Sequence, residues 1–488
     1  MPNHHSTVII GAGPAGLTAA YELTKNGVYP LVLEAASQVG GISRTEIYKG
    51  YRFDIGGHRF FTKVDIVNQL WREVLTDDFI QVPRMSRIYY QNKFYDYPLS
   101  IFNTLTNLGL VESALILLSY LKAKAKAKLR PGLEPETFED WVTKGFGARL
   151  YRTFFKTYTE KVWGIPCNKI EAEWAAQRIK GLSLKKAVIN ALFGSNDTKT
   201  LIKEFDYPRL GPGMMWERFQ EKVDANGGQV SLNTPVVTIK RNGHHITEIM
   251  AEQDGQPMGL TADHFISSMP ITALVNRLDP LPPREVLDAA RALSYRDFLI
   301  VALVIDKPDL FPDNWIYIHS PEAKVGRIQN FKNWSPEMVP DLSKTCIGME
   351  YFCSVGDAIW EASDTELLDL ATHEIETLGL AKAKDVEDGT IIRQPKAYPV
   401  YDREYRQHLQ VIQDYLAQFD NLQTVGRNGM HRYNNQDHSM LTGYLAARNL
   451  LGEHHDLWNV NLERSYHEEF TKEEWQSRQK PQIAAPIG

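Results

Sequence analysis

The sequence predicts a mixed α/β fold in which one nucleotide-binding domain is interrupted by a mainly helical lobe and by an antiparallel sheet. Three observations predict it. A β-branched run at residues 6–10 meets a glycine turn, a helix-spaced stretch at 17–25 and a second strand at 28–34. Residues 65–200 then change to long helical segments such as 137–143 and 171–189, rich in aromatics and without clear strands. Residues 298–306 and 345–351 alternate in the manner of an antiparallel sheet.

At 488 residues the chain is longer than one core usually grows, about 250–300 residues. The pattern divides it into a first part of the nucleotide domain (1–64), the helical lobe (65–205), a second part (206–275), an antiparallel-sheet substrate domain (276–415) and a third part with C-terminal helices (416–488). In the second part, a helix at 214–225 stops at Gly227-Gly228, and short strands follow at 229–233, 236–240 and 245–269. The last part brings a strand at 423–425 and a helix at 439–451. No repeat or low-complexity linker separates these lobes, so they are expected to be woven together.

Composition narrows the function classes. Hydrophobic residues at 43% and charged residues at 23% fit a soluble globular protein. The net charge of −6 argues against a nucleic-acid partner, and negative substrates would need local arginines. Cys167, Cys346 and Cys353 are few and odd in number, which excludes a disulfide framework and a zinc site, and each reads as a buried thiol. The start MPNHHSTVII enters a strand without a basic, apolar leader, so a cytoplasmic location is expected. Residues 108–121 form the longest apolar run, but it carries Glu112 and falls short of the roughly 20 residues of a spanning helix. With the lysines at 122–128 it reads as an amphipathic helix with a solvated basic end, and contact with a membrane surface or lipid-linked substrate is its other reading. Homo-oligomer formation is left open.

Gly11-Ala-Gly13-Pro-Ala-Gly16 lies directly after a strand and directly before a helix. Gly11 allows the tight turn, Gly13 lets the backbone approach a pyrophosphate, and Gly16 permits close helix–strand packing. The helix N-terminus offers free N–H groups to phosphates, with Pro14 and Ala15 at its start. Glu34, followed by Ala35, closes the next strand about 20 residues on, where a carboxylate would take a ribose hydroxyl. This is a Rossmann-type dinucleotide site. Two further glycine turns favour FAD over NAD: Gly40-Gly41 leading to Arg44, placed for a diphosphate, and Asp54-Ile-Gly56-Gly57-His58-Arg59, where paired glycines admit a flat ring.

These features resemble the FAD-dependent superfamily of amine oxidases, protoporphyrinogen oxidase, phytoene desaturases and UDP-galactopyranose mutase. Several segments are most similar to the mutase, especially its eukaryotic-type form: Gly56-Gly57-His58, the run 94–99, Lys161-Val-Trp163 to Trp174 and Arg178, and Gly426-Arg427 followed by 435–439. The resemblance implies that Gly11, Gly13, Gly16, Glu34, Gly41 and Arg44 hold the ADP half of FAD, with Val236 or Val237 on its adenine side. It places His58 against the isoalloxazine ring and Gly426-Arg427 between flavin and a substrate diphosphate. Asp437, His438, Ser439 and Met440 would bring helix N–H groups to the flavin carbonyl, where they stabilise a reduced ring. Arg178, Tyr398, Tyr401 and Tyr433 would line the substrate cavity.

In the mutases an arginine in the strand after the counterpart of Tyr295 clamps the diphosphate. This chain has Ile305-Asp306 there, with Arg296 adjacent to the tyrosine instead. The expected activity is flavin-mediated isomerisation or redox chemistry on a nucleotide-sugar-like small molecule. The alternative is oxidation of a small or hydrophobic substrate by an amine oxidase, protoporphyrinogen oxidase or desaturase type of enzyme.

Overall fold

The computed structural model describes residues 3–97, 99, 101–129, 134–172, 200–201, 203–461 and 469–470. The chain opens with β1 (Asn3–Ile10), α1 (Pro14–Lys25) and β2 (Leu31–Leu33). β1 and β2 pair in parallel, and their apolar runs at 8–10 and 31–33 are buried, as strands covered on both faces require.

After a hairpin of Thr45–Tyr48 and Tyr51–Asp54 and the helix Asp65–Leu75 come β3 (Ser86–Tyr90) and β4 (Lys93–Asp96), a hairpin whose two turn residues, Gln91 and Asn92, have φ of 50° and 58°. Positive φ at both central positions matches the twist of the flanking strands. The strand Phe79–Pro83 precedes them and pairs with Glu204–Pro208. The expectation of a stretch without clear strands therefore fails over residues 79–96. These strands are short and rich in tyrosine, and Phe79–Pro83 and β3 take partners far along the chain, so no local period announces them. The helical character holds from α2 (Leu110–Leu129) to α3 (Phe138–Phe146), which starts on a capping box of Thr137 and Asp140. Of the helix read at 171–189, the part beyond residue 172 lies outside the described residues.

The chain returns through α4 (Pro212–Ala225) to β5 (Gln229–Ser231), β6 (Val236–Asn242), β7 (His245–Gln253) and β8 (Gln256–Ser267). It then builds β9 (Tyr295–Ile305), β10 (Trp315–Ile318), β11 (Arg327–Asn330), β12 (Thr345–Cys353) and β13 (Val386–Pro399). β14 (Leu422–Thr424) and α5 (Gln436–Leu450) complete the fold.

Two sheets result. The first has the order β5-β2-β1-β8-β7-β6 followed by the short strand Leu278–Asp279, with β14 also paired to β8. Its β5, β2, β1, β8 and β14 run parallel, and α1 and α5 cover one face. The second has the order β13-β9-β12-β11-β10-β3-β4 and is antiparallel except between β10 and β3. Alternation gives it two buried faces. Leu299, Val301 and Leu303 pack against the helix Asp364–Thr377, while Phe298, Ile300, Ala302 and Trp315 join the core shared with the nucleotide domain. This second, inward face roofs the site described below. All three cysteines are free and buried, and among the described residues no helix is long and apolar enough to cross a membrane.

Candidate active site

Each glycine of the first turn has a physical reason. Gly11 sits at φ 101°, and a Cβ there would lie 2.2 Å from Ser268 Oγ. A Cβ at Gly16 would lie 1.9 Å from the Gly11 carbonyl oxygen, so helix and turn could not meet. Gly13 and Gly41 face each other across the gap, where a Cβ on Gly41 would stand 3.4 Å from Gly13 Cα. α1 begins at Gly13 and Pro14 with no side-chain cap, which leaves its first N–H groups for a ligand. Glu34 accepts the Ala12 N–H at 2.7 Å through Oε2 and the Ala36 N–H at 2.9 Å through Oε1. Those two bonds hold the carboxylate facing the cleft and leave further acceptor capacity on both oxygens.

The cleft is a cavity of about 820 Å³. Gly11, Gly13, Pro14, Ala15, Glu34 and Ala35 line one end, and Gly41, Arg44 and Val236 stand nearby. His58, Gly426, Arg427 and Ser439 line it as well. Gly16 serves the turn rather than the lining. Val237 points outward, because alternate strand residues face opposite sides. Asp437, His438 and Met440 are buried in α5 outside the lining. His438 Nδ1 accepts the Asn435 N–H at 3.3 Å within the helix cap, and Met440 Sδ accepts Trp71 Nε1–H at 3.0 Å. The first turn of α5 instead lends Gln436 and Ser439.

Several lining residues carried no local signal in the sequence: Arg277, Arg393, Gln394, Lys396 and Asn434. Lys396, at φ 54°, stands where the pairing of β13 with β9 shifts register between Gln394 and Tyr398. Burial, then the nearby Arg277 charge, hold the Lys396 ammonium below the usual lysine range. Arg44 donates to Glu46 at 2.6 Å, to the Gly41 carbonyl at 3.0 Å and to Gln394 at 2.8 Å, which fixes it beside the glycine turn. A glycine cradle, an uncapped helix start, a ribose-type carboxylate and several cations suit a dinucleotide with a pyrophosphate. The residues fit FAD.

At the other end, His58 Nε2 donates to the Ile55 carbonyl at 2.8 Å. Burial first, with the Arg427 and Arg327 charges opposing protonation as well, brings the imidazole pKa down to about 4, so the ring is neutral at pH 7. Arg427 donates Nε–H to the Asn434 carbonyl at 2.8 Å and Nη1–H to the Ala397 carbonyl at 3.1 Å. Its guanidinium stands 5.5 Å from the Tyr398 ring and 5.0 Å from the Tyr433 ring, which stack on each other at 5.6 Å. Tyr401 is spent on support: its hydroxyl accepts the Tyr433 N–H at 2.6 Å, and its ring stacks on Tyr405. Arg178 lies outside the described residues.

Arg296 is not a clamp. It donates to the Val162 and Phe352 carbonyls at 3.2 and 2.7 Å and to Ser354 Oγ at 2.7 Å, locking the roof sheet to the helical lobe. The guanidinium that does approach the glycine loop is Arg327, on β11. Its Nη2 would lie 3.6 Å from a Cβ on Gly56, with the Tyr398 hydroxyl at 4.0 Å. Nε of Arg327 donates to the buried Glu350 at 2.6 Å, and Glu350 also accepts from Gln329 Nε2. Burial works against the Arg327 charge, but Glu350 together with Tyr398, Tyr158 and Tyr317 favours it, and the net effect holds the guanidinium protonated. Trp315 opposite Gln329, and Tyr317 opposite Arg327, put both pairs on one face of β10 and β11. Lys161, in the mutase-like segment, donates its ammonium to the carbonyls of Ile318, Ser320, Ala323 and Val325 at 2.8–3.2 Å, so it is a strut between lobe and sheet.

Comparison with known proteins agrees with this fold. The crystal structure of reduced UDP-galactopyranose mutase superposes with a TM-score of 0.81 at 22% identity, over 94% of this chain and 98% of that one. A putative protoporphyrinogen oxidase from Exiguobacterium sp. 255-15 superposes with a TM-score of 0.68 at 16% identity, over 92% and 98%. Both likenesses concern the fold. Among curated proteins, the L-amino-acid oxidase of Crotalus adamanteus is 26% identical over 334 residues, which span 62% of this chain and 58% of that relative. The model of the flavin containing amine oxidoreductases matches residues 14–451, most of the length, and the chain belongs to that family of FAD enzymes.

Proposed function

We propose that this flavoenzyme acts on a nucleotide-linked sugar by mutase-type chemistry. The observation that carries the reading is the pair of guanidinium groups, Arg327 and Arg427, set about Tyr398 beside the Gly56–His58 loop. Arginine binds phosphate oxygens through paired N–H groups, and stacked tyrosines supply flat apolar area with hydroxyls at the edge. The missing strand arginine is thereby replaced from β11. The likeness to the mutase over 94% of the chain supports the same reading.

In this mechanism Arg427 and Arg327 bind the diphosphate and turn the sugar toward the ring seat beside His58. Neutral His58 adds no charge there, so the positive potential at the ring seat comes from the guanidinium groups and the helix end. The N-terminal turn of α5, with Gln436 and Ser439, faces the same seat with its positive dipole end. Tyr398 and Tyr433 exclude water from the reacting carbon. Bound FAD supplies the redox-active, nucleophilic ring itself.

A second reading, oxidation of a small amine or amino acid, is favoured by the curated relatives, whose 26% identity extends over 334 residues. There the same arginines would take a carboxylate. One experiment separates the two. Dithionite-reduced protein is incubated anaerobically with UDP-galactofuranose, and the products are resolved by anion exchange. Conversion to the pyranose is expected. No conversion, together with bleaching of oxidised flavin by L-amino acids without added reductant, would replace the mutase reading with the oxidase one.

A further inference from the structure

Helix α2 is divided along its length rather than around it. On its outward side Leu110, Leu118 and Leu121 are 90%, 62% and 54% exposed, and Val111 and Leu117 are exposed with them. The following two turns carry Lys122, Lys124, Lys126 and Lys128, all exposed, around the exposed small residue Ala125. Lys124 leans over the Tyr120 ring at 5.3 Å and reaches the Lys144 carbonyl at 3.5 Å. Among the described residues no carboxylate pairs with Lys122, Lys126 or Lys128. The one acid of the helix, Glu112, is taken by a two-bond pair with Arg149 at 2.6 Å.

Such a surface is costly in water, because contiguous apolar patches on soluble proteins normally mark a contact. We propose that α2 docks on the surface of an anionic phospholipid bilayer. Leucines at the headgroup–acyl boundary and lysines reaching the phosphates are the pattern of a helix lying in the interface. The apolar half, residues 110–121, is too short to span a hydrocarbon core of about 30 Å, so the helix rests on the membrane. Charge decides the occupant. A second copy would bring the same face, on which the one carboxylate of α2, Glu112, is already held by Arg149, whereas anionic headgroups supply the counter-charge along the whole rim. The overall charge of −6 opposes approach to such a surface, so attraction must come from this local cluster.

The inner side of α2 connects the face to the enzyme. Ile116 belongs to the apolar cluster that includes Phe154 and Trp163 and reaches Tyr398 and Tyr433 beside Arg427. Docking through α2 therefore holds the aromatic side of the candidate active site toward the bilayer.

The test is co-sedimentation of the full-length, FAD-loaded protein with vesicles of equal phosphatidylglycerol and phosphatidylcholine, and with phosphatidylcholine alone. Binding to the anionic vesicles at least about tenfold above the neutral ones is expected, falling as salt rises. Two variants, Leu117→Gln/Leu118→Gln/Leu121→Gln and Lys122→Glu/Lys126→Glu/Lys128→Glu, should each lower it at least about tenfold. Their flavin content and melting temperature should stay as in the parent, since these side chains are exposed. Equal sedimentation with both vesicle types would overturn the proposal. So would a dimer in light scattering that the leucine variant converts to monomer, because the face would then be covered by a second copy.

Discussion

Arg327 shows how one residue can carry both a fold and a site. Its Nε holds the buried Glu350 carboxylate, while its Nη2 edge faces the Gly56 loop. Removing one partner of a buried pair strands the other charge. Arg327→Leu is therefore expected to lower unfolding free energy by about 3–5 kcal/mol in urea titration. Arg327→Leu/Glu350→Leu should recover much of that loss without recovering sugar-nucleotide binding. A single variant as stable as the parent would mean that Glu350 is already protonated in the folded chain. The residue also marks a limit of sequence reading. Glu34 and Gly11 could be read at once, because their chemistry is written within a span of about 20 residues. Arg327 could not, since its neighbours Glu350, Gly56 and Tyr398 come from three distant segments.

At the scale of elements, the packing of α5 on α1 is set by a missing side chain. A Cβ at Gly443 would stand 2.0 Å from the Ala15 carbonyl oxygen, backbone that cannot move without shifting the phosphate-facing turn. Gly443→Ala should lower the melting temperature and weaken FAD retention together on gel filtration. Gly145→Ala is the matching control: it lies in α3 with nothing within 4 Å of the added carbon. It should be neutral or stabilising by up to about 1 kcal/mol through helix propensity. Retention of FAD by Gly443→Ala at the parent level would show that the two helices can part without disturbing the turn. The helix at α5 and the βαβ start were legible in sequence because period and glycine placement are local. The β3–β4 hairpin was not, because its pairing to β10 joins residues 86–89 to 315–318. Strands that earn their place through remote partners leave little trace in their own composition.

For the whole molecule, buried histidines tie stability to pH. Burial brings His58 and His431 to about 4 and His319 to about 3, against an unfolded value near 6.5. The folded pKa values lie below the unfolded one, so between pH 6.5 and 4 the unfolded chain binds protons that the folded chain refuses. Stability is complete above pH 6.5 and falls as pH drops through that window. Each such site contributes a slope of about 1.4 kcal/mol per pH unit near pH 5. His431→Asn, which keeps a residue tolerant of the observed φ of 46°, should flatten the measured slope by about that amount. An unchanged slope would mean that His431 is protonated in the folded state.

What the sequence determined by itself is the part of the protein whose chemistry is local: a mixed α/β fold, FAD as the cofactor, and the glycine turn of Gly11, Gly13 and Gly16 with Glu34 across a cleft that suits it. Turns, helix starts and strand periods span a few residues, so their physics can be read in order along the chain. Only the tertiary structure decided which arginine faces the loop, that Arg296 and Lys161 are struts, and that Lys396 and Arg277 reach the cavity beside the glycine turns. Those outcomes depend on register between strands tens to about a hundred residues apart, where a shift of one position would turn each side chain to the other face.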